Sequence, residues 1–206
     1  KAGCHTGMAN AQGLFHDGLC MEKGYAADYS GAGKILGNPS MDAAVLETGW
    51  QSILHEGLAY SKADVSILTG LDTGCLHIQS LIVEAVKTGG ASVLNGEDPH
   101  ILPLMERARG RIILFSRKEN TPVLKGHRKR GGEVIFPEDG VICSIKERYK
   151  RKLCRMEELP LSPGTEGGGI VPALAAAAAC SALGILPIVG EDYFFQKLGD
   201  TRTSSV

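Results

Sequence analysis

Between residues 43 and 116 the chain alternates four times between a short apolar run and a helical segment. The apolar runs are Ala43–Leu46, Val65–Thr69, Ala91–Leu94 and Arg111–Phe115. Helical segments are expected at Ile53–Ala59, at Ile78–Lys87 and at Asp98–Arg107, the last with Pro99 in its first turn. Ile78, Leu81, Ile82 and Ala85 fall on one helical face. Each strand run is continuously apolar rather than alternating, which is the pattern of strands covered on both faces. The expectation is an α/β fold, a mostly parallel sheet flanked by helices.

On either side of this region the pattern changes. The first forty residues carry many glycines and little periodicity, and read as loops with short strands. Beyond Lys125, Glu133–Phe136 and Val141–Ile145 flank Pro137-Glu138-Asp139-Gly140, a hairpin signal. With a third strand at Lys152–Met156 this gives a small antiparallel β-hairpin subregion over about residues 133–156. An alanine-rich helix follows and ends near Leu183, where Gly184 stops it. A short helix is expected at Asp192–Leu198, and residues 201–206 read as a flexible tail. Residues 1–200 then form a single domain, the size that 206 residues ordinarily supply.

Composition removes several classes of function. Lys and Arg total 22 against 23 Asp and Glu, so no net charge draws the chain to nucleic acid or an anionic membrane. Aromatic residues are 5%, too few for base-stacking platforms. The basic clusters His127–Arg130 and Lys146–Arg155 read as solvated faces. No apolar run reaches the length of a membrane span, and Lys1–His5 does not open a secretory leader. The six cysteines are scattered, without a CxxC pair, and read as reduced thiols of a cytoplasmic protein.

Four local patterns could carry chemistry. Ser30-Gly31-Ala32-Gly33-Lys34 suggests a phosphate loop, but Asp28 and Ile35 stand where the Walker pattern needs Gly and Ser or Thr. A flexible glycine turn is the stronger reading. Cys75 and His77 could pair only on extended backbone, since residues two apart on a helix diverge. His5, His16 and His55 show no ligand-like spacing. Glu47 ends an apolar strand, at the edge where parallel sheets place ligands. Its carboxylate could hold magnesium or favour the start of a following helix, and the residues alone leave both open.

From Val45-Leu46-Glu47-Thr48 through Ile53-Leu54-His55-Glu56-Gly57-Leu58-Ala59-Tyr60, the chain resembles the central, ATP-binding domain of the cyanophycin synthetase and Mur ligase family. Further stretches match in order: Leu81-Ile82-Val83-Glu84-Ala85-Val86, then Val93-Leu94-Asn95 with Asp98-Pro99, Gly110-Arg111, Phe115-Ser116 and Ala173–Ala179. The resemblance implies an ATP-dependent acid–amino acid ligase, in which a carboxylate is phosphorylated and an amine attacks the acyl phosphate. It implies ATP and magnesium as cofactors, Glu47 as a metal ligand, and Asn95 and Asp98 on the nucleotide side. No catalytic residue is carried over. It also implies a small-molecule or peptide substrate.

Several positions depart from the family. Gly49-Trp50-Gln51-Ser52 stands where it carries Ala-Arg-Gly-Gly. Gly70 replaces an Asn, and Gly74-Cys75 falls at an Asp-His pair that helps hold the metal. Gln79 replaces a lysine, Pro172 an asparagine near adenine, and Ala9-Asn10-Ala11 a threonine-rich segment. Two expectations follow: a ligase domain not competent alone, or a catalytically inactive ligase-derived module that binds a protein partner or a second copy of itself. Trp50, on a loop at a strand edge, is then either an interface anchor or a filler of space.

Overall fold

A computed structural model describes residues 3–159 and 169–185, and the backbone of 195–197. The chain divides into two compact units, Lys1–Lys62 with Gly74–Ile82, and Ala63–Thr73 with Val83–Val206.

The first unit is built on a four-stranded sheet. Strand β1 (Thr6–Asn10) pairs antiparallel with β2 (Gly13–His16), which pairs antiparallel with β3 (Leu19–Lys23). Helix α1 (Tyr29–Leu36) leads to β4 (Ala43–Leu46), which lies parallel to β1 on its other side. The order is β3-β2-β1-β4. Ala9, Leu14, Ala26 and Ile35 form the small core, with Leu46 against it. Helix α2 (Trp50–Glu56) and α3 (Leu76–Glu84) bury Ile53 and Ile78 around Cys75.

Two expectations fail here. Residues 30–34 are not a glycine turn but lie inside α1, which Asp28 caps by accepting the Gly31 N–H at 2.7 Å. Glycine is needed at 31 because a Cβ there would run into the Ala26 carbonyl. Strand β4 exists as expected, but Ala43, Ala44 and Val45 are exposed. It is the outer strand of its own sheet, not a buried strand of the parallel one.

In the second unit β5 (Ala63–Leu68), β6 (Val86–Asn95), β7 (Arg111–Phe115) and β8 (Glu133–Glu138) run parallel in sequence order. Strands β9 (Val141–Lys146) and β10 (Tyr149–Arg155) extend the same sheet antiparallel. The hairpin subregion is therefore the antiparallel half of one seven-stranded sheet, whose last strand is β11 (Phe195–Lys197). Asp139 and Gly140 turn β8 into β9 with φ of 47° and 76°, the left-handed pair a two-residue hairpin requires.

Both faces of the sheet are covered, which explains the continuous apolar runs. Val93, Ile113 and Ile135 pack with Leu174, Ala175 and Ala178 of α6 (Ile170–Ala182). The intervening Leu94, Leu114 and Val134 are fully buried too, as are Ile101 and Leu104 of α4 (Ile101–Arg107) and Leu124 of α5 (Pro122–Lys129). Burying each such side chain contributes about 1.5–3 kcal/mol.

Some boundaries shift. Helix α2 starts at Trp50 rather than Ile53, and α3 ends at Glu84, because Val86 and Lys87 already belong to β6. Pro99 precedes α4, where the Asp98 side chain shapes the turn. The expected helix at 192–198 is contradicted at Phe195–Lys197, whose backbone pairs with Tyr149–Arg151. The expected tail at 201–206 lies outside the described residues.

Candidate functional site

Glu47 follows β4 directly, so the strand carries it to its C-terminal end. Its backbone N–H donates to Ala9 O at 2.8 Å, extending the parallel ladder by one rung. Its Oε2 accepts the Ala11 N–H at 2.9 Å and so holds the tip of the β1–β2 turn. That turn is also closed by Asn10, whose Oδ1 accepts the N–H groups of Gln12 and Gly13. Helix α2 takes no side-chain cap, with Gly49 at its N-cap, so the helix-capping alternative for Glu47 is not realised. Among the described residues Oε1 accepts no hydrogen bond, and the side chain is exposed. One carboxylate oxygen is therefore left for a cation.

The family-derived neighbours of Glu47 take structural places. Trp50 packs beside Ile53, Cys75 and Ile78, with Leu58 and Ile82. The Tyr60 hydroxyl bonds to the Thr48 side chain, and burial raises its pKa. Cys75 is buried and His77 exposed on helical backbone, so the two do not pair.

In the second unit, the C-terminal ends of β5, β6 and β7 carry a polar network. Asn95 ends β6. Its Nδ2 donates to Thr69 O at 2.9 Å, and its Oδ1 accepts the Glu97 N–H at 3.0 Å. Asp98 accepts the Leu71 N–H through Oδ2 at 3.0 Å and the His100 N–H through Oδ1 at 2.9 Å. Both residues thus pin the loops after β5 and β6 to one another.

Glu97 and Arg117 form a multiply hydrogen-bonded ion pair in this network, twenty residues apart and marked by no motif. Arg117 Nε and Nη2 both donate to Glu97 Oε2, at 3.0 and 2.7 Å. The Ser116 Oγ adds a bond to Oε1 at 3.2 Å. The guanidinium beside it holds the Glu97 carboxyl below the usual carboxylate range, against the opposing effect of burial.

Three members of the basic clusters are engaged within the fold. His127 turns inward, its Nε2 3.1 Å from Ile112 O, and burial lowers its pKa. Arg128 pairs with Glu119 at 3.3 Å, and Lys150 pairs with Glu138. The remaining surprise is at the first sheet, where His5, His16 and Asp17 come together despite their spacing. Asp17-Gly18 is the same two-residue hairpin signal as Asp139-Gly140, and recognising it would have placed His16 at a strand end.

No protein-family profile matches the chain. Among curated proteins it is 28% identical over 180 residues to the cyanophycin synthetase of Synechocystis sp., covering 82% of this chain and 20% of that protein. It is 27% identical over 174 residues to the cyanophycin synthetase of Geminocystis herdmanii, covering 79% and 20%. It is 35% identical over 97 residues to the UDP-N-acetylmuramoylalanine–D-glutamate ligase of Pelotomaculum thermopropionicum, covering 47% and 18%. The chain spans about a fifth of the length of these relatives. Among the described residues no helix is long and apolar enough to cross a membrane. With the α/β sheet found above, the chain is similar over about four-fifths of its length to a segment of the cyanophycin synthetases, and over about half of it to a Mur-type ligase.

Proposed function

We propose that residues 1–200 serve as the ATP-side domain of a carboxylate–amine ligase and act only as part of a longer enzyme. The observation that supports this reading is Glu47. It stands at a strand's C-terminal end with one carboxylate oxygen unspent, inside the segment that matches the cyanophycin synthetases. Magnesium is commonly bound through one or two carboxylates together with substrate phosphates, so a single free oxygen is a sufficient protein contribution. Held there, the ion would spread the charge that develops on a transferring phosphoryl group. Glu47 orients it, and Ala11, by holding Oε2, fixes which oxygen faces outward.

Asn95 and Asp98 fit a nucleotide less well. Their polar atoms are engaged by Thr69, Glu97, Leu71 and His100. Their contribution is to shape the loops at the sheet edge, where open α/β sheets place ligands. The substrates are then a carboxylate, from a small molecule or peptide, and an amine. By the same likeness the protein is cytoplasmic, and its near-zero net charge suits small-molecule partners better than nucleic acid.

A second reading has its own support. Trp50 fills the apolar cluster of Ile53, Cys75 and Ile78, and the residues that would grip nucleotide are spent on backbone. Both fit an inactive ligase-derived module that binds a protein partner or a second copy.

Titration of magnesium–ATP, followed by calorimetry and by Trp50 fluorescence, separates the two. Saturable binding that needs magnesium, and that Glu47→Ala weakens at least tenfold, supports the ligase domain. No binding, together with a stable dimer or larger assembly in sedimentation, supports the inactive module and ends the first reading.

A further inference from the structure

The residues just before β1 and the turn between β2 and β3 bring two imidazoles and a carboxylate to one place. His5 Nδ1 lies 2.8 Å from Asp17 Oδ2, and His16 Nε2 lies 3.6 Å from the same oxygen. All three atoms lie within 4.8 Å of one another. The two rings stand edge to face, 5.8 Å between centroids.

His16 Nε2 is shielded from solvent and has no hydrogen-bond partner among the described residues. A shielded polar nitrogen without one is costly, and such an atom in a native structure calls for an explanation. Asp17 is held in place independently. Its Oδ1 accepts the Thr6 N–H at 2.7 Å, its own N–H donates to Thr6 O at 2.9 Å, and its φ is 49°. One oxygen is thereby anchored and the other, Oδ2, is turned toward both rings. His5 is anchored through its backbone, whose N–H donates to Asp42 Oδ2 at 2.8 Å.

We propose that His5 Nδ1, His16 Nε2 and Asp17 Oδ2 bind a divalent transition-metal cation of the zinc type. Two imidazoles with one carboxylate suit zinc and its neighbours, whereas magnesium and calcium prefer all-oxygen ligands. Tetrahedral ligands about 2.1 Å from zinc sit roughly 3.4 Å apart. The 3.6 Å separation already matches, and the 2.8 Å one opens by about half an ångström when the ion replaces a hydrogen bond. His5 and Asp17 are exposed, which gives the ion a path in and leaves a fourth position to solvent. The ion would clip the start of β1 to the β2–β3 turn. This site is independent of the ligase reading, since it uses none of Glu47, Asn95 or Asp98.

The test is calorimetric titration of Zn2+ into the full chain, purified without an affinity tag and stripped with a chelator. Co2+ absorption serves as a second readout. One ion per chain is expected, with the visible bands of low-symmetry Co2+ and a higher melting temperature. His16→Ala, and separately His5→Ala at the exposed position outside the strands, should each weaken Zn2+ at least tenfold. His55→Ala and the pair Cys4→Ser with Cys20→Ser should leave it unchanged. Absence of saturable Zn2+ binding overturns the assignment. So does binding that survives loss of both His5 and His16, or that disappears with the two exposed thiols.

Discussion

Glu97 and His127 illustrate how single titratable groups set the chain's response to acid. Glu97 has its folded pKa depressed by Arg117, so the stability it lends is present above its ordinary value of 4.5 and is lost as pH falls below that. Arg117→Ala should lower stability slightly at neutral pH and flatten the acid limb of a urea-midpoint profile. His127 is also depressed, by burial, from an ordinary value of 6.5. Its neutral form is the one the fold accepts, so stability should decline as pH drops from 6.5, before Glu97 begins to titrate. His127→Gln should remove that first decline while keeping a donor for the Ile112 carbonyl; a midpoint series between pH 7.5 and 5 reads it directly.

At the scale of elements, α6 closes the core over one face of the seven-stranded sheet. Leu174 is fully buried against the sheet, and Leu174→Ala should lower stability by about 2–5 kcal/mol in denaturant titrations. The helix stops where Gly184, at φ of 70°, donates to Ser181 O while Ile185 donates to Cys180 O. Gly184→Ala should cost about 1 kcal/mol, because a side chain resists that backbone conformation. A different device ties α6 to the strands: Glu133, buried, accepts hydroxyls from Ser144 at 2.8 Å and Ser181 at 2.7 Å. Replacing Glu133 by Ala leaves both hydroxyls short of a partner, and a loss of about 1–3 kcal/mol is expected.

For the whole molecule, ligand linkage gives the clearest reading. If Glu47 holds magnesium beside ATP, saturating magnesium–ATP raises the melting temperature, and the rise vanishes in Glu47→Ala without loss of the apo fold. The seven-stranded sheet was legible in the sequence, because strands buried on both faces leave an unbroken apolar run and need no distant information. Val93-Leu94, Ile113-Leu114 and the Asp139-Gly140 turn announced themselves in this way. Helix α1 did not, since two glycines mask its propensity and only the approach of Ala26 explains one of them. Nor could Ala43–Leu46 reveal that it joins a separate sheet, because the partner of a strand is set by chain topology rather than by its own side chains. The sequence by itself determined the α/β class, most of the central strands and the place of Glu47 at a strand end. Only the tertiary structure decided that Asn95 and Asp98 are spent on backbone, that Glu97 meets Arg117, and that His5 reaches His16 and Asp17. Those are long-range hydrogen bonds and approaches, and residues far apart in the chain carry no local pattern that records them.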